Sequence, residues 1–337
     1  MPTVPTDSWL QYGNGGNPNN RLPSIREDLA DVIYDISPTE TPFVSAASRG
    51  ASKGVLHEWQ TDELAAVATP AALEGADPDN VALVETVRLN NINQIQEKTI
   101  QISGTNMVQD NAGYASEQAY QIAKKGLEMK RDMEYTLLRG AAAEGQAKTA
   151  GDSGTARTLG NIKSWISTNA VGGAGASECT GDGSDVRTAG ADQAFTEDLL
   201  TDRIDAIWNE GGNPNMVLSG SYQKRIMNDF VGRADPVRVS NGAARLSSDS
   251  GDKKIMNAVD VYVSDYGELM LVPNRFMGQD DVFILETGMW SVDYLRDFQT
   301  NELAKTGDSL RTQMLVEYTL RSNNEKASGA IYDLATA

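Results

Sequence analysis

Residues 113–144 constrain this chain more than any other stretch. Small and apolar residues recur as Ala115, Ala119, Ile122, Gly126, Met129, Met133, Leu137 and Gly140, in steps of four and three that keep one seam on one side of a helix. At about 1.5 Å of rise per residue such a helix runs roughly 48 Å. Its other faces carry Lys124, Glu128, Arg131 and Glu134, whose pairings three or four residues apart support a solvated helix by only about 0.2–0.5 kcal/mol each. Asp110 and Asn111 are the expected N-cap residues and Gly145 the expected stop. Periodicity alone makes this a core element of a domain. Its neighbours add weight, because an extended acidic loop precedes it and a separate α/β region follows.

The acidic loop lies in an acidic chain. The net charge over 337 residues is −18, which opposes a primary role in gripping nucleic acid, since such binding draws on clustered Lys and Arg. An acidic surface suits solubility, and it also suits a surface that lies near nucleic acid without adhering to it. No run reaches the apolar length of a membrane span, and the N-terminus MPTVPTDSWL lacks the basic start and apolar core of a signal peptide. The chain is therefore expected to stay in the compartment where it is made. The single Cys179 excludes an intramolecular disulfide and fits a reducing cytosol.

Residues 1 to about 23 are rich in Pro, Gly and Asn and form an arm without a core of its own. Leu29, Val32 and Ile33 indicate a short helix over 26–34, closed by Ser37-Pro38. Residues 55–62 and 81–103 alternate like the two arms of a long hairpin, whose tip AAVATPAALEGADPDN cannot bury a core. From Gly54 to Val87 there are seven Asp or Glu and no Lys or Arg, so a surface receiving this loop should be basic or neutral.

Residues 145–193 are dominated by Gly, Ala, Ser, Thr and Asp, interrupted by the more structured LGNIKSWIST, and read as a flexible insertion or loop. Thr196 then caps a helix carrying Leu199, Leu200, Ile204, Ile207 and Trp208, ended by Gly211-Gly212. A strand at 216–218, a helix at 221–230 and a hairpin turning at Tyr266-Gly267 complete a compact α/β unit. Strands at 282–285, 312–320 and 330–334 close the chain.

Chemistry-bearing motifs mostly fail. Gly151-Asp152-Ser153-Gly154 resembles the nucleophile segment of trypsin-like proteases, and Gly307-Asp308-Ser309-Leu310 that of a lipase and esterase family. Both need a histidine to take the serine proton. The only one is His57, in the wrong surroundings and, for the lipase order, on the wrong side. One His and one Cys cannot build the usual zinc sets, and Asp182-Gly183-Ser184-Asp185 lacks the later glycine and glutamate of a calcium loop. Phosphate and dinucleotide loops are missing too. Trp59, Trp165, Trp208 and Trp290 are scattered, which favours packing over a nucleic-acid platform. No catalytic, metal or cofactor-binding residue is assigned.

The order of elements (arm, acidic hairpin loop, long helix, α/β unit, closing strands) resembles that of the major capsid proteins of tailed bacteriophages. Residues 39–64 (TETPFVSAASRGASKGVLHEWQTDEL), 259–277 (VDVYVSDYGELMLVPNRFM) and 282–334 (from VFILETGMW to SGAIYDL) are similar to segments of one phage capsid branch. The resemblance implies an α+β Johnson fold, shared with herpesvirus capsid floor domains and encapsulins. It implies an N-terminal arm at 1–54, an extended β-hairpin loop at 55–105, a peripheral domain with its spine helix at 106–160, a Gly-rich insertion at 161–189, an axial domain at 190–281 and further peripheral strands at 282–337.

It also implies a shell subunit and no enzyme: hexamers and pentamers of one chain tiling an icosahedral shell around packaged double-stranded DNA, assembled in the host cytoplasm and ending in the virion. An encapsulin-like compartment around protein cargo is the alternative. Portal and decoration proteins are expected partners. The chain starts almost directly with the arm, so scaffolding is expected from a separate protein. The loop tip from Leu64 to Asn80 has no lysine, so the covalent welding that some relatives use is not expected. Charge instead suggests that loop residues Glu58, Asp62, Glu63, Glu74 and Asp77 dock on Lys124, Lys125, Lys130 and Arg131 of a neighbour's spine.

Overall fold

A computed structural model describes residues 37–67, 69, 71, 74–75, 77, 83, 85–109, 116–233 and 260–336. The arm before Ser37, the helix expected at 26–34 and the expected caps Asp110 and Asn111 lie outside these residues.

The described chain opens with a short helix α1 (Pro42–Ala46) and strand β1 (Ser48–Ala51). Strands β2 (Leu56–Thr61) and β3 (Val87–Ile92) pair antiparallel, Leu56 opposite Ile92 and Thr61 opposite Val87. These are the expected hairpin arms, but the second arm continues as a separate strand, β4 (Gln94–Ser103), which joins another sheet. A one-turn helix α2 (Gly104–Val108) follows.

The spine is α3 (Glu117–Leu138), about 33 Å long. Ser116 caps it, its Oγ accepting from Ala119 N at 3.4 Å. The seam is real over Ile122, Gly126, Met129, Met133 and Leu137, whereas Ala119 lies on the exposed side. The helix stops before the expected Gly145 because Gly140 adopts φ +76° and donates its N–H back to Tyr135 O, a left-handed stop that glycine makes without strain.

Two sheets share the body. The four-stranded sheet has the order β1, β10 (Trp290–Glu302), β11 (Ser309–Ser322), β4. Sequence reading misses β10. Its pairing with β11 shifts register between Tyr294 and Arg296 and again between Arg296 and Gln299, so no alternation of period two survives.

The six-stranded sheet has the order β5 (Ala170–Val171), β12 (Gly329–Ile331), β9 (Val282–Leu285), β6 (Met216–Ser219), β8 (Gly267–Pro273), β7 (Val261–Ser264). Helices α4 (Glu197–Asn209) and α5 (Ser221–Arg233) cover one face through Leu200, Ile204, Ile207 and Met227. Strands β9 and β12 hydrogen-bond into this sheet, so the expected boundary at 281/282 does not follow the sheets. Both strands are buried on both faces, as strands central to a sheet are.

The Gly-rich segment is also corrected. Leu159, Ile162, Trp165 and Ile166 are fully buried and join Phe43, Met129, Met133, Phe283, Trp290 and Tyr332 in the main core. These four lie in the LGNIKSWIST stretch expected to be more structured. The Gly-rich remainder is held as well, through Arg187 to Asp333 and Glu144, so the segment is part of the packed body and not a flexible insertion.

Candidate inter-subunit surfaces

The extended loop is fixed at its root and leaves the body beyond it. Trp59 of β2 packs against Trp165 with ring centres 5.3 Å apart and planes tilted by 39°. Asn91 donates to Leu320 O at 2.7 Å and to Gly160 O at 3.0 Å, and its Oδ1 accepts from Gly160 N at 2.8 Å. Asn93 donates to Ser52 Oγ and Gly54 O at 2.6 Å. His57 Nε2 lies 2.7 Å from Asp293 Oδ2, which also faces Arg321 Nε at 3.0 Å. Burial opposes the Asp293 charge, but the His57 ring, the Ser291 hydroxyl and Arg321 more than offset it and hold the carboxyl below its usual range.

Past Thr61 and Val87 the ladder and its buried anchors end, and the described residues keep one ion pair to the body, Glu63 with Lys326. Leu64, Val67 and Leu83 are fully exposed, which sequence reading did not single out, although apolar residues in a stretch without its own core were the available signal.

The proposed contact residues separate into two groups. Asp62, Glu74 and Asp77 are exposed. Glu58 Oε2 sits 3.9 Å from Arg88 Nη1 across the ladder, and Glu63 Oε1 is 2.8 Å from Lys326 Nζ of its own chain. On the spine, Lys124 and Lys130 are exposed. Lys125 binds Glu128 at 2.8 and 2.9 Å, and Arg131 Nε is 3.9 Å from Asp132 Oδ1. Burial opposes the Glu128 charge, yet Lys125 and Lys98 together lower its carboxyl. Among the described residues no ion pair joins the five loop acids to the four spine bases. Beside Lys124 and Lys130, the outer face of α3 also exposes Ala119, Ala123, Leu127 and Tyr135, an apolar stripe that lies off the seam.

The serine motifs are turns and strand ends. Asp152 Oδ1 accepts from Gly154 N at 2.8 Å and Thr155 N at 2.7 Å, with Gly151 at φ +71°. Ser309 begins β11 and accepts from Gln101 Nε2 at 3.3 Å. His57 is engaged with Asp293 and Trp59. Among the described residues no group of three His, Cys, Asp or Glu side chains is placed to hold a metal ion, and no helix is long and apolar enough to cross a membrane.

Comparison with known proteins agrees with this geometry. The chain is 26% identical over 337 residues to the major capsid protein of Escherichia phage Phieco32, covering 91% of this chain and 94% of that one. The fold is similar to a chain of the cyanophage A-1(L) capsid asymmetric unit, with a TM-score of 0.62 at 12% identity, covering 92% of this chain and 97% of that one. It is also similar to the capsid of a native GTA particle, with a TM-score of 0.59 at 12% identity over 93% and 96% of the two chains. Residues 10–335 match the SU10 major capsid protein family, and over that span, nearly the whole chain, this α+β protein belongs to that family of phage major capsid proteins, a structural family and not an enzyme family.

Proposed function

We propose that this major capsid protein assembles into hexamers and pentamers that close into an icosahedral shell around double-stranded DNA. The observation that carries the reading is the extended loop. Its root is riveted to the body by Asn91, Asn93 and Trp59, while Leu64, Val67 and Leu83 beyond it are bare. Apolar residues beyond a well-anchored root that no other described residue covers fit a surface completed by a neighbour. Repeated use of such a contact closes a shell when its rotations close, and many modest contacts become collectively strong.

In this reading residues 1–54 are the arm and 55–105 the extended loop. Residues 106–160 with β10 and β11 form the peripheral domain, and 190–281 with β9 and β12 the axial domain. The 161–189 segment packs between them. The loop acids Asp62, Glu74 and Asp77 dock on a neighbour's spine around Lys124 and Lys130, with Glu58, Glu63, Lys125 and Arg131 at the margin. The subunit has no catalytic activity. Scaffolding, portal and decoration proteins are separate partners, assembly takes place in the host cytoplasm, and an acidic lining keeps packaged DNA from adhering. No observation favours a compartment around protein cargo.

Negative-stain electron microscopy with light scattering tests this directly. Closed shells, or capsomers that convert to them, are expected from the purified protein alone or co-expressed with its scaffold. A uniform monomer under both conditions would overturn the reading.

A further inference from the structure

Glu134 is completely buried on the inner face of α3, one turn from its end. Among the described residues no cation pairs with it. Its partners come instead from two other parts of the chain. Oε1 accepts from Phe43 N at 2.8 Å and from Asn274 Nδ2 at 2.6 Å, and Oε2 accepts from Val44 N at 2.8 Å. Phe43 and Val44 open α1, where Thr41 supplies no side-chain cap, so a carboxylate 90 residues away in sequence caps that helix. Burial pushes the Glu134 carboxyl up, and the three donors pull it back.

Both sides of the junction are anchored. Asn274 is buried, its N–H donates to Ser219 O at 2.8 Å and its Oδ1 accepts from Phe276 N at 2.8 Å, which ties it to the end of β6. Phe43 sits in the main core with its ring 6.5 Å from that of Trp290. The charged groups nearby are already engaged or turned outward. Lys98 is held by Glu128 and Asp132, Arg275 beside Asn274 is exposed, and Tyr294 and Tyr318 stay neutral under burial.

We propose that Glu134 is a positioning residue that couples the arm to the axial sheet: one oxygen is shared between an arm amide and Asn274, so displacing either re-aims the carboxylate on the other. A charge-assisted bond between buried groups is strong and directional. Without Asn274 the buried carboxylate loses one of the three donors that orient it and offset its burial, which weakens its hold on the α1 amides. In an assembling subunit the arm's departure would then report the state of the axial sheet. The coupling itself does not depend on the shell reading.

Hydrogen exchange on the full chain decides the matter. Asn274→Ala removes an axial donor and touches no arm atom. A coupling of ordinary size predicts that exchange at Phe43 and Val44 accelerates about five- to tenfold. Glu134→Gln should accelerate the same amides, and adding Asn274→Ala to it should change them no further. If Asn274→Ala affects only amides near Ser219 and Asn274, the coupling is absent. Additive effects in the double variant would equally overturn it. Should Glu134→Gln fail to fold, the Asn274→Ala comparison with wild type is decisive alone, and Asn274→Ser provides a milder repeat.

Discussion

Lys163 Nζ lies 2.5 Å from Asp281 Oδ2, and the two side chains are only 2% and 1% exposed. The pair ties the Gly-rich segment to the chain entering β9, and Lys163 also donates to Ala143 O at 2.6 Å. Removing one member of a buried pair leaves the other charge without compensation, at a cost of about 3–5 kcal/mol. Lys163→Met, which strands the buried Asp281 carboxylate, is therefore expected to lower the stability of the subunit by that order in chemical denaturation.

The same group sets a pH dependence. Burial pushes the Asp281 carboxyl from its ordinary 3.8 up to about 6, against the pull of Lys163. A carboxyl raised on folding binds its proton more tightly in the folded state. Its contribution is thus full below pH 3.8 and is lost as pH rises through about 6. Denaturation midpoints across this window should show a falling component in the wild type that Asp281→Asn lacks. Asp293, Glu317 and Asp333 are lowered on folding and act in the opposite sense at lower pH, which separates the two trends.

Close backbone approach explains a second sensitivity. A Cβ on Gly173 would lie 1.7 Å from Ala191 O, and the Gly173 N–H donates to Asp333 Oδ2 at 2.9 Å. Gly173→Ala has to push apart two backbones beside the buried Arg187–Asp333 pair, which should cost about 1–3 kcal/mol or more. Gly175→Ala is the control: its φ of +85° brings strain, but nothing lies within 4 Å, so a penalty near 1 kcal/mol is expected. Equal melting temperatures for the two variants would contradict this account.

These two sites lie where the sequence was least legible. Local signals read correctly wherever a short-range rule decides the structure. Thr196 caps α4 through Leu199 N, Gly211 adopts φ +89° past its end, and β7 and β8 turn at Asp265-Tyr266, one residue before the expected Tyr266-Gly267. The Gly-rich segment defeats such rules because its order comes from distant partners: Arg187 reaches Glu144 and Asp333, and Trp165 meets Trp59. Strand β10 hides for a related reason. Asp293 breaks its apolar pattern and is tolerated inside only because His57 and Arg321 converge on it. The candidate surface was half legible: charge bias marks the loop, but composition cannot tell that Lys125 is already held by Glu128 while Lys124 is open.

That distinction yields a prediction for the spine. Lys124→Glu with Lys130→Glu reverses two exposed charges, and substitutions at such sites usually move stability by no more than about 0.5 kcal/mol. Assembly should fall while the subunit melts as before. Lys125→Glu instead places a like charge beside Glu128 and should lower the melting temperature as well. Sedimentation and thermal melting on the same samples separate the two. Normal shells from Lys124→Glu/Lys130→Glu would remove the spine from the contact.

The loop gives the complementary prediction. Leu64, Val67 and Leu83 contribute nothing to the folded subunit that water does not already see, because all three are fully exposed. Their replacement by Ser should leave the denaturation midpoint of the subunit unchanged. In a shell, burial of each such side chain against a neighbour is worth about 1.5–3 kcal/mol. A factor of ten in an equilibrium constant is about 1.4 kcal/mol, so the triple variant should need at least tenfold more protein to assemble. The acids Asp62, Glu74 and Asp77 stay in place in that variant. A salt dependence of assembly that persists while the concentration threshold rises would therefore assign affinity to the apolar residues and steering to the charges. An unchanged threshold would mean that Leu64, Val67 and Leu83 stay exposed in the shell.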